Sequence, residues 1–262
     1  MIYSLYRIKT KTNMHVGSGD TTFGVIDNKV QRDVLTNYPI IHSSSLKGAL
    51  REYFKEYNDS IVDYIFGSKP KDNENQTSGK YRFFDANLLS YPVRSDKKLF
   101  YRATTSSIIK KFLERMREFH LENNFSALEK LENVSESGTL RNDGNIEIED
   151  FKVNHLLSPE LTGPELKQIE KLLGDKVVLF NEDDFKTIIE DLPVVARNHL
   201  VNGESKNLWY EEIVPRETKF YFFVGIGTEK EVEFNDGIQG DLVQIGGNAS
   251  IGYGFSSITK IL

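Results

Sequence analysis

The sequence contains no cysteine, which excludes disulfide bonds and zinc sites built from thiolates. No stretch reaches about 18 consecutive apolar residues, and no apolar segment follows a basic start, so neither a membrane span nor a secretory signal is predicted. The five histidines lie far apart and form no HExxH or HxxxH spacing, so a structural metal site is not indicated. These absences favour a cytoplasmic protein that has no membrane partner.

What is present is ordinary for a globular protein, except for the distribution of charge. Of the 262 residues, 39% are hydrophobic and 27% are charged, enough for one sizeable core with insertions or for two small domains. Residues 1–120 hold 20 Lys+Arg and 13 Asp+Glu, a net charge of +7, whereas the remainder has −13 and the whole chain −6. The split predicts a basic surface for a polyanion, although uneven surface charge without a function is the alternative.

Hydrophobic periodicity and turn residues predict a mixture of helices and strands. The predicted helices span residues 44–57, 60–66 (ended by Gly67), 106–120, 164–173 and 183–192. The predicted strands span residues 3–12, 81–89, 219–226 and 242–262, with another from Ile146 and a hairpin over 194–214 centred on Asn202-Gly203. Residues 13–43 and 69–80 are predicted loops. This order favours an α+β fold with a ferredoxin-like core and insertions.

The segment from residue 15 to residue 51 is arranged like a binding site. The glycine turn Gly17-Ser18-Gly19 precedes a long polar loop, and a helix with an apolar face then begins at three serines. Ser44, Ser45 and Lys47, together with the free amides of the first turn, could bind a phosphate, and Arg51 is predicted one turn further on the same solvent face. The alternative is an ordinary amphipathic helix with solvated cations.

Asp27 lies in that loop and could hold a divalent ion or activate an RNA 2′-hydroxyl. His15 could assist proton transfer, although a histidine at a strand end is more often structural. Glu211 and Glu212 are possible acidic partners. Loop aspartates are also common turn residues, so spacing alone leaves the role of Asp27 open.

The segment GGNASIGYG, residues 246–254, is rich in glycine and matches neither a Walker A motif nor a GxGxxG fingerprint. Gly246 and Gly247 would let the backbone approach a ligand, and Asn248 and Tyr253 are the side chains there best able to hydrogen-bond or stack. A bulged turn that closes the sheet is the alternative.

Four segments carry a resemblance to a known family. They are GVIDNKVQRD with SSSLKGALR (24–33 and 43–51), FFDANLLSYPVRS (83–95), NLWYEEIVPRETKFYFF (207–223) and LVQIGGNASIGYGF (242–255). In this order they resemble RAMP-superfamily CRISPR proteins, and most closely the repeated backbone subunit of the type III-B (Cmr) effector complex.

The resemblance implies one RAMP domain over residues 1–262, with an RRM-like core, an inserted, mostly helical region at about 96–192 and a projecting thumb hairpin at about 193–218. It also implies a backbone subunit that binds guide CRISPR RNA, further copies of itself and other Cmr subunits. Asp27 would cleave the guide-paired target RNA with a divalent metal ion, magnesium or manganese. The glycine-rich segment would contact the guide, and Arg94 and Arg197 are further candidates for phosphate contact. A non-catalytic scaffold, the type III-A counterpart and a small-molecule enzyme with a phosphate at the serine helix are the alternatives.

Overall fold

The computed structural model describes residues 1–19, 24–68, 77–121, 125–141, 143–153, 156–157 and 161–262. It divides into two compact units: unit 1, Met1–Asn87 with Leu192–Leu262, and unit 2, Leu88–Asp191. Most of the predicted loop 69–80 lies outside the described residues. Within the described ranges no helix is long and apolar enough to span a membrane.

The α+β class predicted from the sequence is confirmed. In chain order the strands are β1 (Ile2–Thr10), β2 (Ile40–Ile41), β3 (Arg82–Phe83), β4 (Ala86–Val93), β5 (Tyr101–Thr105), β6 (Gly138–Thr139), β7 (Ile146–Ile148), β8 (Phe151–Val153), β9 (Val177–Phe180), β10 (Val194–Val201), β11 (Glu204–Glu212), β12 (Lys219–Ile226), β13 (Val243–Gln244) and β14 (Phe255–Lys260). The helices are α1 (Ser43–Tyr57), α2 (Val62–Phe66), α3 (Ser106–Glu118), α4 (Ser126–Glu129), α5 (Gly163–Leu173), α6 (Glu182–Glu190) and α7 (Glu231–Gly240).

Unit 1 is built on an antiparallel sheet in the order β13-β14-β1-β12-β3. Every residue of β12 is buried, as expected for a strand covered on both faces. Helix α1 follows β1 along the chain and buries Leu46, Leu50 and Phe54, which recur every four residues on one face. The Phe54 ring stacks on Phe234 of α7, with 5.2 Å between the ring centroids. The aromatic core of unit 1 therefore includes residues of both α1 and α7.

Unit 2 combines a mixed sheet with capped helices. Strand β5 pairs with β9 in parallel and with β4 antiparallel, and β6 pairs with β9. The Thr105 hydroxyl accepts a hydrogen bond from the amide of Ile108 at the start of α3, and the Asn181 side chain accepts one from Asp184 at the start of α6. Polar caps thus fix where these helices begin, close to the positions predicted from the sequence.

The predicted hairpin is confirmed as β10 and β11, which form a sheet of their own. Its turn residues Asn202 and Gly203 have φ of 52° and 83°, the left-handed pair that a type I′ turn requires. Most hairpin residues are exposed, whereas Glu211 and Glu212 at its base are buried. The tip therefore lies in solvent while the base belongs to the body of unit 1.

Some predicted boundaries were wrong. The strand expected at 81–89 is broken into β3 and β4, and the one expected at 242–262 is interrupted by the glycine-rich segment between β13 and β14. Strand β2 lies inside the loop expected at 13–43, and β5, β6, β8, β9, α4 and α7 were not predicted.

Candidate functional site

The loop that carries Asp27 is attached to the base of the hairpin through the main chain. The amides of Asp27 and Asn28 both donate to the carbonyl of Tyr210, each at 3.1 Å, and the amide of Glu212 donates to the carbonyl of Asn28 at 2.9 Å. The amide of Tyr210 in turn donates to Asp27 Oδ2 at 2.8 Å. The Asp27 carboxylate is therefore fixed beside β11 while it remains exposed to solvent.

Glu212 anchors the same loop further along. Its buried carboxylate accepts from the amide of Val30 at 3.0 Å and from Arg32 Nη2 at 2.6 Å. Arg32 Nη1 also donates to the carbonyl of Asn37 at 2.8 Å. The segment from Asp27 to Arg32 is thus bound to β11 at both of its ends, by main-chain hydrogen bonds at Asp27 and by the Arg32–Glu212 ion pair.

Glu211 joins the hairpin base to the glycine-rich segment. Its carboxylate accepts hydrogen bonds from Trp209 Nε1 (2.9 Å), Arg197 Nε (3.1 Å) and Asn248 Nδ2 (2.8 Å). Burial of the Glu211 carboxylate acts to raise its pKa, but these three hydrogen bonds outweigh burial and hold the pKa below its ordinary value. Glu211 is therefore an ionised side chain that is tightly bound within the protein.

Arg197 lies between this carboxylate and an aromatic ring. Its guanidinium carbon is 4.4 Å from the centroid of the Tyr253 ring, and only 19% of the Arg197 side chain is exposed. The structure therefore brings together Arg197, Asn248 and Tyr253, which are predicted as RNA contacts from separate parts of the sequence. Arg197 is bound to Glu211 in this structure, and its contact with phosphate remains a prediction.

Trp209 and Asn28, whose side chains point to Glu211, were missed as site residues. Asn28 Nδ2 lies 3.5 Å from Glu211 Oε1, at the outer limit of a hydrogen bond. Strand alternation was the available signal for Trp209, because residues two apart on a strand share a face and Glu211 was already a candidate.

His15 packs against the glycine-rich segment and is only 8% exposed. Its Nδ1 lies 2.7 Å from the carbonyl of Glu212, so this nitrogen carries the proton, and its own carbonyl accepts from the amide of Gly247 at 2.8 Å. A Cβ on Gly246, where φ is +90°, would lie 2.3 Å from the His15 carbonyl oxygen. The close approach that Gly246 permits is therefore made by the protein's own backbone.

The start of α1 differs from the predicted serine cap. No side chain at the N-cap, His42, caps the helix, and the amide of Ser43 instead donates to Asp85 Oδ1 at 2.6 Å. A carboxylate thus satisfies the first amide of the helix. The serine cap was wrong because the capping group comes from a distant part of the chain.

The other residues predicted at this helix have different environments. Ser45 Oγ accepts from Gln31 Nε2 at 2.9 Å, Ser44 is exposed, and Lys47 forms no ion pair within the part of the chain that the structure describes. Arg51 was predicted on the solvent face, and this is wrong. Its side chain is 18% exposed, and Nη1 donates to the carbonyl of Gly67 at 2.7 Å. Of Lys47 and Arg51, Lys47 is therefore the better candidate for a phosphate contact.

Arg94 belongs to unit 2, where its guanidinium is bound to Glu149. Nη2 and Nε donate to Glu149 Oε2 at 2.7 and 3.0 Å, although 87% of the Arg94 side chain is exposed. Its contact with phosphate remains a prediction.

A groove of about 690 Å³ runs beside α1 and the glycine-rich segment. Val16, Ala49 and Phe255 contribute apolar surface, Glu52 and Glu56 contribute carboxylates, and no described residue of its lining is Lys or Arg. Such a groove favours an uncharged or cationic group over a phosphate.

The donor set around Asp27 limits the kind of metal site it could form. Among the described residues, no group of three His, Cys, Asp or Glu is placed to hold a metal ion. Magnesium, however, commonly binds through one or two carboxylates with water and substrate phosphates as its other ligands. Asp27 fits that second kind of site and not an all-protein cage.

Comparison with known proteins places this geometry in a family. The model of the RAMP superfamily matches residues 7–257. The chain is 27% identical to the "CRISPR system Cmr endoribonuclease Cmr4" of Pyrococcus furiosus, over 97% of this chain and 94% of that protein. It is 28% identical to the "CRISPR system CMR subunit Cmr4" of Saccharolobus solfataricus, over 94% and 92%. A chain of the type III-B Cmr-beta cryo-EM structure in the apo state shares the fold, with a TM-score of 0.79, 24% identity and coverage of 99% and 97%. Since the family match spans nearly the whole length, including the Asp27 loop, the hairpin and the glycine-rich segment, the chain belongs to the RAMP superfamily.

Proposed function

We propose that this protein is a guide-RNA-binding backbone subunit of a type III-B CRISPR effector complex and that it cleaves the guide-paired target RNA. Two full-length relatives with the names given above support the assembly. The observation that carries the catalytic part is the Asp27 carboxylate, which is exposed to solvent and fixed to the hairpin base at the same time. That combination suits a group that acts on a bound polymer, because the carboxylate needs no rearrangement to meet it.

We further propose that unit 1 contains a ferredoxin-like core and that the β10–β11 hairpin is the thumb. The strand order β14-β1-β12-β3 supports this, with α1 following β1 and α7 following β12 in the chain. It is the order expected of a split βαβ core whose two halves each contribute a helix. Residues 88–191 would then form the insertion into a single RAMP domain.

In the proposed reaction the target RNA supplies its own nucleophile. A 2′-oxygen attacks the adjacent phosphorus, the bond from phosphorus to the 5′-oxygen breaks, and the products are a 2′,3′-cyclic phosphate and a 5′-hydroxyl. The Asp27 carboxylate accepts the proton of the 2′-hydroxyl as the new bond forms, and the departing 5′-oxygen takes a proton from solvent. His15 Nδ1 donates to the carbonyl of Glu212 and so stabilises the hairpin base to which the Asp27 loop is bound.

A divalent ion remains part of the proposal. When bound, magnesium or manganese would take Asp27 as its protein ligand and would neutralise negative charge on the scissile phosphate. Water and phosphate oxygens would complete its shell.

Guide binding is assigned to the start of α1 and to the glycine-rich segment. Lys47 supplies the charge for a phosphate, Ser44 an exposed hydroxyl, and Gly247 an exposed backbone. Asn248 and Tyr253 of the same glycine-rich segment are partly exposed and offer an amide and a ring.

The test is cleavage by the assembled complex loaded with guide RNA. Asp27→Ala should leave assembly and target binding unchanged and should slow cleavage by about 100-fold or more, as expected for a proton acceptor or metal ligand. Asp236→Ala, which removes an exposed carboxylate from α7 in the same unit, is the matched control and should cleave normally.

The substrate gives an independent arm of the same test. A target with a 2′-deoxy sugar at the cut position should bind and resist cleavage, because its nucleophile is absent. Full activity of the Asp27→Ala complex would contradict the proposed chemistry and would favour a scaffold that only binds RNA.

A further inference from the structure

We infer that Arg32 is a positioning residue that holds Asp27 in place for the proposed cleavage, an inference that rests on the function proposed above. Arg32 does not face solvent as a loop arginine usually does. Its side chain is 14% exposed, its Nη2 lies 2.6 Å from Glu212 Oε1, and the Glu212 side chain is 4% exposed. The two charges therefore form a largely buried pair at the base of the hairpin.

Main-chain contacts connect this pair to Asp27. Glu212 Oε2 accepts from the amide of Val30, and the amide of Glu212 donates to the carbonyl of Asn28. From there the amides of Asn28 and Asp27 both reach the carbonyl of Tyr210. Arg32 thus closes the far end of a short segment whose near end carries the reactive carboxylate.

Main-chain hydrogen bonds from the amide of Ser18 to the carbonyl of Lys29 and from the amide of Gln31 to the carbonyl of Val16 also hold this segment. Arg32 adds to them by orienting the Glu212 carboxylate, so the Arg32 anchor further narrows the positions that Asp27 visits. Catalysis is sensitive to such positions, because a displacement of about 1 Å can slow a reaction by about 100-fold. Loss of the anchor should consequently lower the rate of the chemical step while leaving RNA binding intact.

The chemistry of the contact calls for arginine. The planar guanidinium directs Nη2 to Glu212 and Nη1 to the carbonyl of Asn37 at the same time. The single ammonium of a lysine keeps the charge without that fixed fork. Arg32→Lys therefore removes the geometry and preserves the charge balance in the buried site.

The experiment measures single-turnover cleavage and target affinity in complexes loaded with guide RNA. Arg32→Lys should slow cleavage by about 10- to 100-fold with target affinity within about twofold of the wild type. The double variant Arg32→Gln/Glu212→Gln removes both buried charges together and should show the same selective loss, which covers the case in which a single variant does not fold. Lys9→Gln breaks the ion pair of Lys9 with Glu217, at 2.8 Å on the same unit, and should have no effect.

A variant that lacks Asp27 separates positioning from a general structural role. If Arg32 acts through Asp27, then Arg32→Lys should not slow the residual cleavage of Asp27→Ala any further. A further loss in that background, or a parallel loss of affinity, would overturn the inference. So would wild-type rates for Arg32→Lys in a complex whose Asp27→Ala variant is inactive, and the proposed function would then still stand. A wild-type complex that binds its target and does not cleave it would overturn both.

Discussion

Replacing Glu211 with alanine removes the carboxylate that joins the hairpin to the glycine-rich segment. Three donors, on Arg197, Trp209 and Asn248, would lose their acceptor at once. Each unsatisfied buried donor costs about 1–3 kcal/mol, and the lower end applies here because these side chains are only partly buried. The expected loss is therefore about 3 kcal/mol in the free energy of unfolding.

For a chain of this length, 1 kcal/mol corresponds to roughly 2–4 °C, so Glu211→Ala should lower the melting temperature by roughly 6–12 °C at pH 7. Circular dichroism of the isolated subunit measures this directly. Glu204→Ala is the matched control on the same hairpin. Its carboxylate is 75% exposed beside Lys206, and its removal should change stability by less than about 0.5 kcal/mol.

The pH dependence tests whether the charge of Glu211 is responsible. Its pKa is lower in the folded protein than the ordinary value of 4.5, so its stabilising effect is present above that value and is lost as the pH falls through the folded pKa. The stability gap between the wild type and Glu211→Gln should therefore stay constant from pH 7 to about pH 5 and narrow below pH 4.5. A melting temperature of Glu211→Ala equal to that of the control, or a gap that widens in acid, would refute the reasoning.

Two further predictions concern α1 and the hairpin tip. Lys47→Ala should weaken guide binding in a salt-dependent way without loss of stability, whereas Arg51→Ala should mainly lower the melting temperature, because its guanidinium binds the carbonyl of Gly67. Filter binding at two salt concentrations, paired with thermal melts, separates the two effects. Equal loss of guide affinity in both variants would contradict the assignment. Replacing residues 200–206 with a short Gly-Ser turn should leave the melting temperature nearly unchanged, because these residues are exposed, and should impair target engagement. A large drop in melting temperature would instead show that the tip stabilises the fold.

The hairpin could be predicted from the sequence because its determinants are local. An Asn-Gly pair between two alternating segments specifies the turn, and the observed φ angles agree with it. Helix α7 shows the opposite case. It contains Gly237 and Gly240, which argue against a helix in the sequence. Yet a Cβ on Gly237 would lie 2.5 Å from the Phe54 ring. Gly237 lowers the helix propensity of this segment, and it is also the residue whose missing side chain lets α7 pack on α1.

The site divides in the same way. Asp27, Asn248 and Tyr253 could be named from motifs, and the structure brings the segments that carry them to the hairpin base. The cap on α1 could not be foreseen, because Asp85 lies 42 residues from Ser43 and reaches it only through the fold. Arg51 was misplaced for a related reason, since its partner Gly67 lies beyond the helix that carries it. Sequence spacing within a helix does not reveal what packs beside it.

The main-chain hydrogen bonds between Asp27 and Tyr210 have a consequence for measurement along RNA. Because they fix the Asp27 backbone and one carboxylate oxygen to β11, the position of the carboxylate relative to the hairpin does not depend on which nucleotides are bound. In an array of copies, each hairpin would have an Asp27 carboxylate at the same distance from it. The interval between cuts would then equal the repeat of the protein array and would not depend on the sequence of the RNA.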